Sequence, residues 1–284
     1  MKQDVIIGAV DLYQWSDIKN WVVSIDKSGF QGRKILLVYR VSDELKVNAI
    51  SMGVEVYEIS IDQFGYPIDH EKNGHKSEVH ALRFYHIWQL LTELGVDNFD
   101  RVIATDVKDV IFQTNPSIWL DSNLGDYEMI APSEGILYEM EGWNTNNMKN
   151  SFGPFAWELM THNMTVCNVG TIAGKASFFA QFAFILWSLT KGHSIPSDQS
   201  GFNLLAQTLF KDKIKIVRSE EGWCATCAVA LEPKYNWLQS QLLDPIPIVT
   251  EDGLVTTTNG TPFALVHQYD RITTLNNMIN IKYA

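Results

Sequence analysis

The sequence is poor in cysteine, in basic charge and in long apolar runs. Its three cysteines, Cys167, Cys224 and Cys227, cannot all pair with one another, so no disulfide framework holds the chain together. Cys224-Ala-Thr-Cys227 has the spacing of a zinc or redox pair. A tetrahedral zinc site needs two further ligands, however, and neither a second Cys-x-x-Cys nor a His-x-x-x-His is present. The 22 Lys and Arg face 33 Asp and Glu, a net charge of −11 without any run of five basic residues, which excludes a partner nucleic acid gripped through a basic stripe. The most apolar window, Phe178 to Leu189, is interrupted by Gln181 and falls well short of the ~20 residues of a membrane span. Asp4 stands where a signal peptide would be basic, so Met1 to Val10 reads as a first core strand and the expected location is the cytoplasm.

What is present is a globular composition, 46% hydrophobic and 19% charged, in a chain long enough to bury roughly three quarters of its unfolded surface. Val5-Ile-Ile-Gly-Ala-Val10 is a continuous apolar run suited to a strand buried on both faces. Trp15, Ile18, Trp21, Val22 and Ile25 then repeat at helical spacing. Lys34 to Tyr39 and Val54 to Ile59 read as strands around a short helix within Ser42 to Met52. This βαβαβ start predicts an α/β fold with a mostly parallel central sheet flanked by helices. A polar loop with Gly65, Pro67 and Gly74 leads into a helix from Ser77 to Leu94 and a strand, Arg101 to Thr105, that ends at Asp106-Val-Lys-Asp109. Further on, Tyr127 to Pro132 reads as a strand and Glu134 to Phe155, rich in Gly, Asn, Trp and Met, as a long functional loop. Thr165 to Ala173 reads as one strand, Ser177 to Leu189 and Asp198 to Leu209 as helices, and Ile214 to Val217 as a short strand. With neither repeat nor linker, one domain over 1–284 is expected, with a nucleotide- and metal-binding half (1–116) and an acceptor and catalytic half (117–284).

Ligands of open parallel sheets sit outside the carboxyl ends of the strands. Asp11, the pair Asp106 and Asp109, Asn168 with Gly170, and His267 all fall at such ends. Two carboxylates so close in the chain repel unless a cation or a proton neutralises one. Hard oxygens plus one imidazole suit Mn²⁺, or Mg²⁺ with bridging phosphates. Arg83 shares the apolar row of its helix with Val79, Ile87 and Leu90, so it either snorkels at the edge of that face or needs a buried partner. The other histidines, His70, His75, His80, His86, His162 and His193, read as solvated, and the aromatics and amides around Trp143 and Asn144 as an acceptor surface or a satellite core.

Four segments resemble, in order, those of GT-A fold glycosyltransferases of the glycogenin and lipopolysaccharide galactosyltransferase type. They are Thr105-Asp-Val-Lys-Asp-Val-Ile-Phe-Gln-Thr-Asn-Pro116, Cys167-Asn-Val-Gly170, Ser197-Asp-Gln-Ser-Gly-Phe-Asn203 and Val266-His-Gln-Tyr-Asp-Arg271. The resemblance implies a transfer of a hexosyl or pentosyl group from a nucleoside diphosphate sugar, a UDP-sugar in the first instance, to a hydroxyl of a carbohydrate acceptor. Asp109 and His267 would hold the metal, and Asp106 would be a second metal or ribose contact. The family's Asp-x-Asp is here Asp-x-x-Asp, and aligning on Val-Ile-Phe ranks Asp109 above Asp106. Asn168 and Gly170 correspond to a donor-binding strand, and Arg83, like the family's matching helix Arg, would reach the metal aspartates and the donor sugar, with Asp106 its candidate partner. Asp11 and Tyr13 look like the base-binding turn. Arg271 would stand in for a missing downstream Lys at the diphosphate. Asp198 and Gln199 would line the donor sugar near its anomeric carbon, although Asp198 could equally open its helix as a cap. Glu134 is the rival catalytic carboxylate, able to deprotonate an acceptor hydroxyl. A sugar-nucleotide nucleotidyltransferase and a catalytically silent carbohydrate-binding protein are the alternatives.

Overall fold

Alternation along the first strand sends Val5 and Ile7 to one face of a sheet and Ile6 and Val10 to the other, so both faces need a cover. The computed structural model describes residues 2–59, 77–160, 164–193 and 195–284; Gly65, Pro67, Gly74, His70, His75 and His162 lie outside the described residues. The chain runs β1 (Gln3–Val10), α1 (Trp15–Lys27), β2 (Arg33–Val38), α2 (Asp43–Ser51), β3 (Glu55–Glu58), α3 (Ser77–Glu93), β4 (Phe99–Thr105), β5 (Val110–Phe112), α4 (Pro116–Asn123) and β6 (Met129–Leu137). It continues through α5 (Gly142–Met160), β7 (Thr165–Cys167), β8 (Thr171–Lys175), α6 (Ala176–Thr190), α7 (Asp198–Gln207), β9 (Ile214–Val217), β10 (Cys224–Thr226) and α8 (Cys227–Leu231). The last elements are α9 (Asn236–Gln239), β11 (Ile248–Val249), β12 (Val255–Thr256), β13 (Leu265–His267) and α10 (Thr273–Lys282).

The main sheet has the order β3-β2-β1-β4-β8-β6-β7, with β9 beside β6. Strands β1 to β4 are mutually parallel, as the βαβαβ pattern predicts, whereas β8 joins β4 and β6 in antiparallel register. The one sheet therefore runs through both halves of the chain. Phe84, Ile87 and Leu91 of α3 and Phe179, Phe182 and Leu186 of α6 cover one face. Ile18, Trp21 and Ile25 of α1, Leu45 of α2 and Leu120 of α4 cover the other. Asn115 and Pro116 open α4, the amide oxygen of Asn115 accepting from Ser117 N at 3.0 Å and the proline taking the first helical position.

Two expectations are corrected. Glu134 does not begin a loop: β6 extends to Leu137, and α5 occupies most of the segment after it. Glycine, asparagine and Pro154 break the helical period, and the helix kinks at Gly153 (φ +79°), but the Glu141 carboxylate caps its start by accepting from the N–H groups of Trp143 and Asn144 at 2.9 and 2.8 Å. Thr165 to Ala173 is two strands, because the chain turns at Asn168 to Gly170 between β7 and β8.

His86 is buried rather than solvated, its Nδ1 lying 2.8 Å from the Tyr39 hydroxyl. Burial lowers its pKa from 6.5 to about 4. Between these values the unfolded chain takes up a proton that the folded protein refuses, so stability falls as pH drops through this window. His86 by itself is expected to cost about 2 kcal/mol between pH 7 and pH 5. Urea unfolding at the two pH values should show it, and His86→Gln should flatten the difference; an unchanged slope in the variant would refute the assignment.

Candidate active site

Asp106 and Asp109 reach the same cleft although two residues separate them in sequence. Val107 is buried against Gly8, while Lys108 lies toward the surface, 3.5 Å from Asp17 and 5.7 Å from the centre of the Tyr13 ring. Asp109 immediately precedes β5, and β5 pairs antiparallel with β13 so that Val110 stands opposite His267. The pairing continues as Gln268 N donates to Asp109 O at 2.8 Å, with Gln268 in the left-handed region (φ +62°). His267 Nε2 thereby lies 3.3 Å from Asp106 Oδ2 and 3.5 Å from Asp109 Oδ1. One ligand atom from each residue falls within 4.8 Å of the others. Burial opposes charge on the imidazole, but Asp109 and Asp106 outweigh it and raise the His267 pKa to about 10. Burial alone would raise Asp106 as well; Arg83 and then His267 instead hold it far below the usual carboxylate range. Two carboxylate oxygens and an imidazole nitrogen, drawn together on a scaffold of three strands, fit a divalent cation of the Mn²⁺ or Mg²⁺ class.

Arg83 is buried, as its place on the apolar row of α3 requires, and one prong of its guanidinium pairs with Asp106 Oδ1. The other donates to Asp198 Oδ2 at 3.1 Å. Asp198 opens α7, yet it is Ser197 that occupies the cap position, without a side-chain capping bond. α7 is also anchored from its middle. Asn203 accepts from Cys167 N at 2.7 Å and donates to Cys167 O at 2.8 Å, so the helix docks on the edge of β7 as another strand would.

Glu134 faces the same cleft from β6. Its Oε1 accepts from Asn168 Nδ2 at 2.8 Å and Gln199 Nε2 at 3.3 Å, and burial raises its pKa against these bonds. Asn168 Oδ1 in turn accepts from Gly170 N, and Gly170 O accepts from Asp106 N, both at 2.7 Å. Gln199 also donates to Asn144 Oδ1 at 2.8 Å, which ties α5 into the same network.

These residues line a cleft with two lobes. The larger, about 470 Å³, includes Glu134, Trp143, Asn144, Asn168, Asp198 and Gln199; the smaller, about 200 Å³, includes Asp11, Tyr13, Lys108 and Asp109. His80, Arg83, Asp106 and Arg271 line both, and so mark the neck between them. Asp11 is buried with its carboxylate held by Arg40, from the backbone N at 3.2 Å and from Nε at 2.9 Å. Burial, then Asp106 and Asp109, push the Tyr13 hydroxyl up to about 12.

All the residues named in the sequence as catalytic, donor or metal candidates therefore line this cleft, and the expected Arg83–Asp106 pair is present. His80 was expected at the surface and instead lines the neck. Lys234 and Tyr235 line the larger lobe without belonging to any motif, whereas Gln268 lies in the segment Val266 to Arg271 and Lys108 between the two aspartates, so those two positions carried a signal. Cys224 and Cys227 are buried free thiols, with burial pushing Cys224 up to about 12, which makes them poor nucleophiles and poor metal ligands.

No family profile and no curated protein matches the sequence. Solved structures do match its fold. The galactosyltransferase LgtC, in complex with donor and acceptor sugar analogs, is 16% identical with a TM-score of 0.56, the match covering 98% of this chain and 95% of that one. Mouse xyloside xylosyltransferase 1 in its apo form is 9% identical with a TM-score of 0.51, over 94% and 97% of the two chains. The glycosyltransferase GlyE of Streptococcus pneumoniae TIGR4 is 16% identical with a TM-score of 0.52, over 94% of this chain and 54% of that one. The fold is that of the GT-A glycosyltransferases.

Proposed function

We propose that this chain is a metal-dependent glycosyltransferase that moves a sugar from a nucleoside diphosphate sugar, a UDP-sugar first among them, to a hydroxyl of a carbohydrate acceptor. The observation that carries the proposal is the Asp106, Asp109 and His267 cluster beside the neck of a two-lobed cleft. A cation there, Mn²⁺ or Mg²⁺, supplies positive charge to the diphosphate. The smaller lobe, with Tyr13 as its aromatic wall, takes the nucleoside, and Arg271 adds a second positive charge at the neck. In the larger lobe Asp198, paired with Arg83, offers negative charge to the electron-poor anomeric carbon as the leaving diphosphate departs. Gln199 and Asn168 orient Glu134, and Glu134 serves the proton of the acceptor hydroxyl.

Calorimetric titration with UDP, with and without Mn²⁺, tests the metal. Asp109→Ala and His267→Ala should each lose at least about tenfold of the Mn²⁺-dependent affinity. Undiminished binding in either variant would remove that residue from the site. A panel of UDP-sugars tests the transfer: Mn²⁺-dependent release of UDP from one of them is expected, and release from none would favour a silent carbohydrate-binding protein.

A further inference from the structure

Beyond Glu134 the larger lobe is walled by Trp143 and Asn144 at the start of α5, by Lys234 and Tyr235 in the turn Pro233–Tyr235, and by Arg271. Its acidic groups are committed. The oxygens of Glu141 cap α5, Asp198 pairs with Arg83, and Glu134 is held by two side-chain amides. The cations are less so. Arg271 has no ion-pair partner among the described residues. Among the described residues the Lys234 ammonium, its side chain 54% exposed, pairs only with Glu232 at 2.9 Å, a residue outside the lining, and sits 4.9 Å from the centre of the Tyr235 ring. In a chain of net charge −11, a cation beside an aromatic ring in the wall of this lobe, with a second cation at its neck, is the exception. Trp143, 53% exposed and part of the same lining, adds a second ring of the kind that stacks on the apolar side of a sugar.

We propose that the acceptor is an anionic sugar, whose ring lies against Trp143 and Tyr235 and whose carboxylate or phosphate pairs with Lys234. This rests on reading the cleft as a site of sugar transfer. Arg271 lines both lobes and can serve the donor diphosphate, whereas Lys234 lines only the larger one, so Lys234 carries the discrimination.

Ligand-observed NMR titration of the intact protein with UDP and Mn²⁺, against methyl hexuronides, hexose 6-phosphates and neutral methyl hexosides, tests it without requiring turnover. One anionic class should bind at least about tenfold more tightly than its neutral counterpart, as a charge-assisted pair provides. Which class wins identifies carboxylate or phosphate as the group. Lys234→Gln should abolish the preference and Lys234→Arg retain it. Equal binding of neutral and anionic sugars, binding of none, or a preference that survives in Lys234→Gln overturns the proposal. Failure of the transfer reading would show separately, as loss of Mn²⁺-dependent UDP binding and of UDP release.

Discussion

Replacing Arg83 with methionine should destabilise the protein by about 3–5 kcal/mol at neutral pH, the usual cost of leaving buried charge without its partner. Methionine fills much of the same volume, so the loss is electrostatic. Arg83 is 7% exposed and neutralises two carboxylates from different parts of the chain, Asp106 at the end of β4 and Asp198 at the start of α7. Lysine should rescue only in part, since a point charge cannot fork to both oxygens as the planar guanidinium does. Acidification distinguishes the cause. Asp106 is held below its unfolded pKa, so the stability it contributes is present above about pH 4 and lost as pH falls further. In Arg83→Met that acid dependence should shrink. Urea unfolding from pH 7 to pH 3 measures both effects, and a variant as stable as the parent at pH 7 would refute this account.

The second large effect concerns a residue without a side chain. A Cβ built on Gly170 would overlap His267 Cε1, lie 2.6 Å from Asp106 Oδ2 and lie 2.9 Å from Asn168 Oδ1. Glycine is needed here for space, not for an unusual backbone angle. The backbone cannot retreat, because Gly170 N is bonded to Asn168 and Gly170 O to Asp106 N, both at 2.7 Å. Gly170→Ala should therefore push apart the groups of the candidate cation site while leaving the core of the sheet intact. A displacement of this kind costs roughly a hundredfold in activity, and Mn²⁺-dependent UDP binding should fall with it. Circular dichroism separates this from unfolding. Full metal-dependent binding with an unchanged spectrum would show that the site tolerates the methyl group.

The parallel half of the sheet is legible because β1 and β2 carry apolar residues on both faces and α1 repeats at three to four residues through Ile18, Trp21 and Ile25. The carboxylates and His267 are legible as polar residues at strand ends. Arg83 is legible as a charge on an apolar row. What escapes reading escapes for physical reasons. Strands of three residues such as β5, β10 and β13 are too short to show a period. Helix α5 is hidden by Gly153, Pro154 and its asparagines, and stands through the Glu141 cap and its bonds to the site. The burial of His86 depends on Tyr39 of a neighbouring segment, and the engagement of Asp11 on Arg40, neither of which a local pattern encodes.

Because His267 arrives on β13, far along the chain from Asp106 and Asp109, the cluster exists only through long-range strand pairing. Neither β5 nor β13 belongs to the main sheet. Strand β13 docks through three register pairs to β5 and three to β10. Loosening of that small sheet would separate the imidazole from both carboxylates while the main sheet stayed paired. A ligand that needs all three groups would by mass action act as a clamp on this strand, stabilising only the molecules in which it is docked.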